Sequence, residues 1–185
     1  IMSERIATDA TSPAHLLVVG SVAFDNVITP YGEKEHILGG AASYCSFASS
    51  YFAETRMVGV VGNDFGEEFM DRLRSRGIDL EGLQRDESGP TFFWKGKYHE
   101  NFNRRDTLDL QLNVFEKFRP DLPESYRASP FVLLGNIHPA LQAHVLDQLS
   151  GESFVLADTI DLWIEIEREN LLNLIKRVHL FVIND

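Results

Sequence analysis

Five short apolar runs constrain this chain more than any other feature: His15–Gly20, Arg56–Val61, Phe131–Gly135, Ser153–Ala157 and Val178–Ile183. Continuous apolar runs of this length suit strands covered on both faces, the habit of parallel sheets. Helical spacing fills the intervals. Ala41, Tyr44, Cys45, Ala48 and Phe52 recur at helical steps, as do Leu141, Val145 and Leu149 ahead of Gly151. Phe65, Phe69 and Leu73 form another stripe, with Asp64 and Glu67 spaced as a capping box and Gly77 as its stop. Leu162–Arg177 is helical in composition, with an interruption around Arg168–Asn170. Strands alternating with helices predict an α/β fold, a mainly parallel sheet flanked by helices and joined by right-handed crossovers.

Two segments depart from that pattern. Val22–Thr29 and Lys34–Leu38 flank Pro30-Tyr31-Gly32-Glu33, a turn between two strands. Thr91–Tyr98 and Thr107–Val114 flank the polar loop His99–Asp106. In the last segment Leu108, Leu110, Leu112 and Val114 alternate with Thr107, Asp109, Gln111 and Asn113, which predicts a half-buried antiparallel strand. Residues 22–38 and 91–114 are therefore expected to form a small β-layer on the end of the main sheet. It would be either a lid or an ordinary edge hairpin. Residues 15–185 then make one domain carrying this layer, and residues 1–14, without an apolar stretch, are expected to be a disordered tail rather than a signal peptide.

Composition narrows the partners. Seventeen Lys and Arg against 28 Asp and Glu leave a formal charge of −11, a surface that repels phosphate backbones and argues against nucleic acid. The single cysteine, Cys45, excludes an internal disulfide and a Cys-rich zinc site, as in a reducing compartment. No apolar run approaches the length that spans a bilayer. The expectation is a soluble cytoplasmic protein whose partner is a small molecule.

In open α/β sheets, ligands bind beyond the carboxyl ends of the strands. Gly20 to Asp25 follow the first strand, and Asp25 there can accept hydrogen bonds from two neighbouring hydroxyls or simply cap a turn. Gly39-Gly40 opens the first helix, where glycines admit a ligand and leave N–H donors unpaired. Tyr44, further into that helix, is either core or an aromatic wall of the same pocket, the latter favouring a small unphosphorylated sugar or a nucleoside over a sugar phosphate. Asn136 and His138 follow the third core strand and have both structural and ligand-contacting readings. Gly59-Val60-Val61-Gly62-Asn63-Asp64 lacks the Lys-Ser/Thr of a phosphate loop and the spacing of a dinucleotide site, so it is expected to be strand exit and helix cap. The six histidines are scattered, with no helical zinc spacing.

These segments together resemble the ribokinase-like (PfkB) family of carbohydrate and nucleoside kinases. The likeness rests on GSVAFD (Gly20–Asp25), LGGAASYCSFA (Leu38–Ala48), VGVVGNDFGEEF (Val58–Phe69), RGIDLEGL (Arg76–Leu83), PTFFW (Pro90–Trp94) and the closing VHLFVIND. It implies ATP-dependent phosphoryl transfer, with magnesium, to a hydroxyl of a sugar or nucleoside. Asp25 would bind substrate hydroxyls, Gly39 and Gly40 would line the pocket, and the β-layer would be a lid that closes on substrate and mediates a homodimer. Two departures qualify it. Tyr44 stands where the family usually has a substrate-contacting asparagine. The family's Gly-Ala-Gly-Asp turn, with its catalytic aspartate and anion hole, has no match here, so no catalytic residue is expected within this chain. Asn184 matches the first residue of the magnesium-linked Asn-x-x-Glu motif, whose glutamate would fall past Asp185. The resemblance thus implies the substrate-binding half of a longer kinase, or, alternatively, a noncatalytic sugar- or nucleoside-binding module.

Overall fold

The computed structural model describes residues 15–183. The expected tail 1–14 and Asn184 with Asp185 lie outside the described residues. The apolar runs form strands β1 (His15–Val19), β4 (Glu54–Val61), β8 (Phe131–Leu134), β9 (Phe154–Asp158) and β10 (Leu180–Val182). With β5 (Leu83–Arg85) they make a six-stranded sheet of order β10-β9-β8-β1-β4-β5, parallel at every pairing. β5 carries no apolar run and escapes a search for one. It is aligned by the backbone bridge between Arg56 and Asp79 and by pairing with Gly59–Val61.

Alternate residues of β1 feed two cores. Leu17 and Val19 pack with Val132, Leu134, Val145 and Leu174, on the side of helices α3 (Pro139–Gln148) and α5 (Arg168–Ile175). Val18 packs with Met57, Val61, Ala42 and Leu73, on the side of α1 (Ala41–Ser49) and α2 (Glu67–Arg74). Closing a Leu or Val side chain to water is worth about 1.5–3 kcal/mol each, which fixes β1 at the centre. Helix α4 (Asp161–Ile166) meets α5 at Glu167, one residue ahead of the expected interruption.

Three local expectations are corrected. Of the stripe Ala41, Tyr44, Cys45, Ala48 and Phe52, Cys45 packs on the core, but the buried face of α1 is Ala42, Ser43 and Ser46, and Phe52 is 90% exposed. Small residues let this helix lie close on the strands, so its inner face does not look apolar. Asp64 does not cap α2, whose N-cap is Gly66 without a side-chain bond. It accepts instead from Thr91 N–H (2.7 Å) and Thr91 Oγ1 (2.6 Å), clamping the loop after β4 to the residue that precedes strand β6 (Phe92–Tyr98). Finally, the predicted strand over Thr107–Val114 ends at Gln111, and Val114 turns into the core on a 3-10 helix, Asn113–Lys117.

The second sheet joins β6 to β2 (Ala23–Thr29), β3 (Gly32–Gly39) and β7 (Arg105–Gln111), in order β3-β2-β6-β7. The outer pairs are antiparallel and the central pair, β2 with β6, is parallel. One face is packed: Phe24 lies against Phe65 and Phe69 at ring distances of 5.6 and 4.8 Å, with Leu38 and Phe93 in the same core. The opposite face is open. The predicted half-burial of β7 does not occur, since Arg105–Leu112 are exposed throughout.

Candidate acceptor-binding site

The sheet order reverses direction between β1 and β8: from β1 the chain builds outward through β4 and β5, then returns to build β8, β9 and β10 on the other side. A crevice opens beyond the carboxyl ends of strands at such a point. The first turn of α1 is lodged in it. A methyl placed on Gly135, after β8, would come 3.0 Å from Ala41 Cβ, and one on Gly20, after β1, 2.9 Å from Ala42 N. Ser21 Oγ accepts from Ala41 N–H (3.1 Å) and Ser21 C=O from Ala42 N–H (2.9 Å). The expectation that Gly39-Gly40 leaves these amides unpaired is therefore corrected, because Ser21 holds them.

The glycine pair serves another purpose. Gly40 adopts φ 91° to turn β3 into α1, and any side chain there would strike Ser21 C=O. At Gly39 the obstacle is Asp25 itself, whose carboxylate occupies the place a Cβ would take.

Asp25 is the third residue of β2, opposite Ile37 of β3 and Trp94 of β6, and so caps no turn. The β2–β3 register slips between Asp25 and Val27, where Asn26 Oδ1 accepts from His36 N–H (2.8 Å) and His36 sits at φ 52°. Irregularities of this kind re-aim side chains, and here the carboxylate leans over Gly39 towards the start of α1. Burial alone raises its pKa to about 6. At neutral pH it is an ionised, partly desolvated acceptor with lone pairs to offer to hydroxyls.

Tyr44 is 56% exposed and belongs to no core cluster. Partial burial, then the charge of Asp25, then Tyr98 of β6, raise its phenol pKa, which places its ring within electrostatic reach of both. Asn136 follows the strand beside β1, and its side-chain oxygen accepts from Trp163 Nε1 (2.9 Å). His138 packs on Trp163 at 5.1 Å and pairs with Glu167 at 3.2 Å. Thus Asp25, Gly39, Gly40 and Tyr44 gather at one place, whereas Asn136 is tied to α4.

Two groups escape a sequence search. Trp94 and Tyr98 share the open face with Asp25, a consequence of the parallel β2–β6 pairing, which joins segments some 70 residues apart and leaves no local trace. Asp158 ends β9 beside Val182, with Oδ1 buried and unpartnered and a pKa raised to about 6 by burial. Its charge reaches Cys45, so half-buried carboxylates flank the first turns of α1. A carboxylate closing an apolar run is the signal Asp25 also follows.

Among the described residues no group of three His, Cys, Asp or Glu stands ready to hold a metal ion. The Gly62 and Asn63 amides bond Thr91 and Gly89 rather than lying ready for phosphate. The described residues thus present neither a three-ligand metal cluster nor free amides at the Gly62 turn. What they can do chemically is hold a hydroxylated acceptor. Also among the described residues, no helix is long and apolar enough to cross a membrane.

A parallel sheet with a carboxylate-bearing crevice at its reversal point, overhung by a small mixed sheet, is a ribokinase-like fold. Residues 13–93 match the model of the pfkB family of carbohydrate kinases, the family the sequence resembles. A cytidine kinase of Thermococcus kodakarensis is 29% identical over 141 residues, covering 74% of this chain and 49% of that protein. The nucleoside kinase of Methanocaldococcus jannaschii, an archaeal member of the ribokinase family, superposes with TM-score 0.70 at 14% identity over 93% of this chain and 61% of its own. A Cryptococcus neoformans ribokinase in complex with ADP gives TM-score 0.66 at 17% identity, covering 82% and 51%. The chain therefore spans about half the length of the cytidine kinase it matches.

Proposed function

We propose that the protein containing this chain transfers a phosphoryl group from ATP, with magnesium, to a hydroxyl of a sugar or nucleoside in the cytoplasm. This chain supplies the acceptor-binding half, and the small sheet is its lid. The observation that carries the reading is Asp25, a half-buried carboxylate with no competing turn to cap, leaning over Gly39 at the mouth of the crevice. The names of the relatives, cytidine kinase and nucleoside kinase, support the acceptor class, and the ADP-bound ribokinase supports the donor. Nucleotide and magnesium would be held by residues outside those described, Asn184 included, so positioning and charge stabilisation at the transferred phosphoryl are assigned to the rest of the protein.

The same reading includes a homodimer through the lid, where Leu108, Leu110 and Leu112 are exposed in succession on and just after β7. Calorimetry on Asp25→Ala in the full-length protein tests the central claim. Losing one charge-assisted acceptor is expected to cost about 1.5–3 kcal/mol of acceptor binding. Unchanged affinity across a sugar and nucleoside panel would sink it. Acceptor binding without any phosphotransfer by the full-length protein would leave a noncatalytic binding module instead.

A further inference from the structure

We infer that Trp94 is a stacking platform for the base of a nucleoside whose ribose is held at Asp25, so that the open face of the small sheet selects nucleosides over free sugars. The inference rests on the reading of Asp25 as the hydroxyl-binding group. Trp94 lies in register with Asp25 on the neighbouring strand, and their side chains share the open face. Its indole is laid flat along its own strand: a side chain at Gly96 would run into the ring. The indole N–H donates to Thr107 Oγ1 at 3.1 Å, which fixes the ring in its plane. Trp94 is only partly buried, so beyond the strand it rests on and Tyr98 at its edge part of the indole stays open. A rigid aromatic face held in this way loses little freedom when a second ring stacks on it.

Distance then chooses the ligand. The carboxylate of Asp25 leans back towards Gly39, while the indole of Trp94 leans forward over Gly96, the residue paired with Val27. With strands about 4.8 Å apart and about 3.3 Å per residue, carboxylate and indole are separated by about 10 Å. A single sugar ring held at Asp25 ends well short of the indole. A nucleoside spans it, hydroxyls at one end and planar base at the other. The aromatic surface also continues outward: Trp94 and Tyr98 stand at 6.3 Å, Tyr98 and Phe102 at 6.1 Å, and Phe102 and Tyr31 at 6.2 Å. Tyr44, within reach of Asp25 and Tyr98, borders the same gap from α1.

The test uses the full-length protein with adenosine, cytidine and D-ribose as probes. Trp94→Ala should weaken both nucleosides about tenfold or more and ribose less than about twofold, and Trp94→Phe should restore most of the nucleoside affinity. In the wild-type full-length protein nucleosides should quench tryptophan emission while ribose should not, and Trp94→Phe should abolish that quench. The wild-type measurement leaves Trp94 intact and does not depend on the alanine variant folding. Equal losses for ribose and nucleosides, no loss for nucleosides, or a wild type that binds ribose as tightly as adenosine would each overturn the inference. Asp25→Ala, by contrast, should weaken all three ligands, so failure of the platform is separable from failure of the acceptor site.

Discussion

In the central sheet Leu17, Val18 and Val19 are closed to solvent, whereas in the small sheet every residue from Arg105 to Gln111 is exposed. Both regions are built from β-structure, and both contain leucines at regular spacing. The difference lies in what covers them. The central strands have helices on each side and draw their stability from the chain itself. The small sheet is packed on one face only, through Phe24, Leu38 and Phe93, and its other face presents Asp25, Trp94 and Leu110. A surface left open in this way has little to lose from mutation when no ligand is bound and much to lose when one is.

The sharpest test of that contrast replaces the same residue type in each sheet. Leu17→Ala should lose about 2–5 kcal/mol of folding stability and Leu110→Ala less than about 0.5, measured by denaturant unfolding. Similar losses would break the comparison. Next in size is Gly39→Ala, whose new methyl must displace the Asp25 carboxylate. About 1.5–3 kcal/mol of acceptor binding should disappear, with affinity followed by calorimetry. Retained affinity would mean that the carboxylate's resting place is irrelevant to binding.

A smaller effect concerns folding and pH. Burial raises the Asp25 pKa to about 6, above its unfolded value, so its ionisation opposes folding. That penalty is absent below about pH 4, grows as pH rises through about 6, and is complete by about pH 7.5. Asp25→Asn should therefore stabilise the protein at about pH 7.5 by about 1–2 kcal/mol, allowing for partial solvent screening, while weakening acceptor binding. Thermal unfolding that shows no gain at that pH, or the same gain at about pH 3.5, would contradict it. The smallest folding effect belongs to Leu110→Lys, within about 0.5 kcal/mol. Its informative readout is sedimentation: the wild type should be dimeric at micromolar concentration and the variant monomeric, and a monomeric wild type rejects pairing through the lid.

The central sheet was legible because a short, unbroken apolar run between helical stretches fits little besides a strand covered on both faces, and the five strands fall within a few residues of their expected ends. The existence of the small sheet was legible from alternation, but its pairing was not. The contact of β2 with β6 joins distant segments, and no pattern within either strand announces it. This is why Asp25 and the glycine pair could be picked out while Trp94 could not. Helix α1 misled for a different reason. Its inner face is Ala42, Ser43 and Ser46, so close packing used small residues and the larger ones, Tyr44 and Phe52, were left outside. Asp64 had the spacing of a cap and was recruited by Thr91, a partner 27 residues away.

Because the Asp25 carboxylate fills the space a side chain at position 39 would need, the two positions share one volume and cannot drift separately. A lineage that abandons the carboxylate frees position 39 for any small residue, and one that first gains a side chain there has already shifted the acid from its place. Among descendants of this sequence, an alanine or serine at 39 would therefore record a carboxylate already moved from its present seat, visible in the gene before any assay is run.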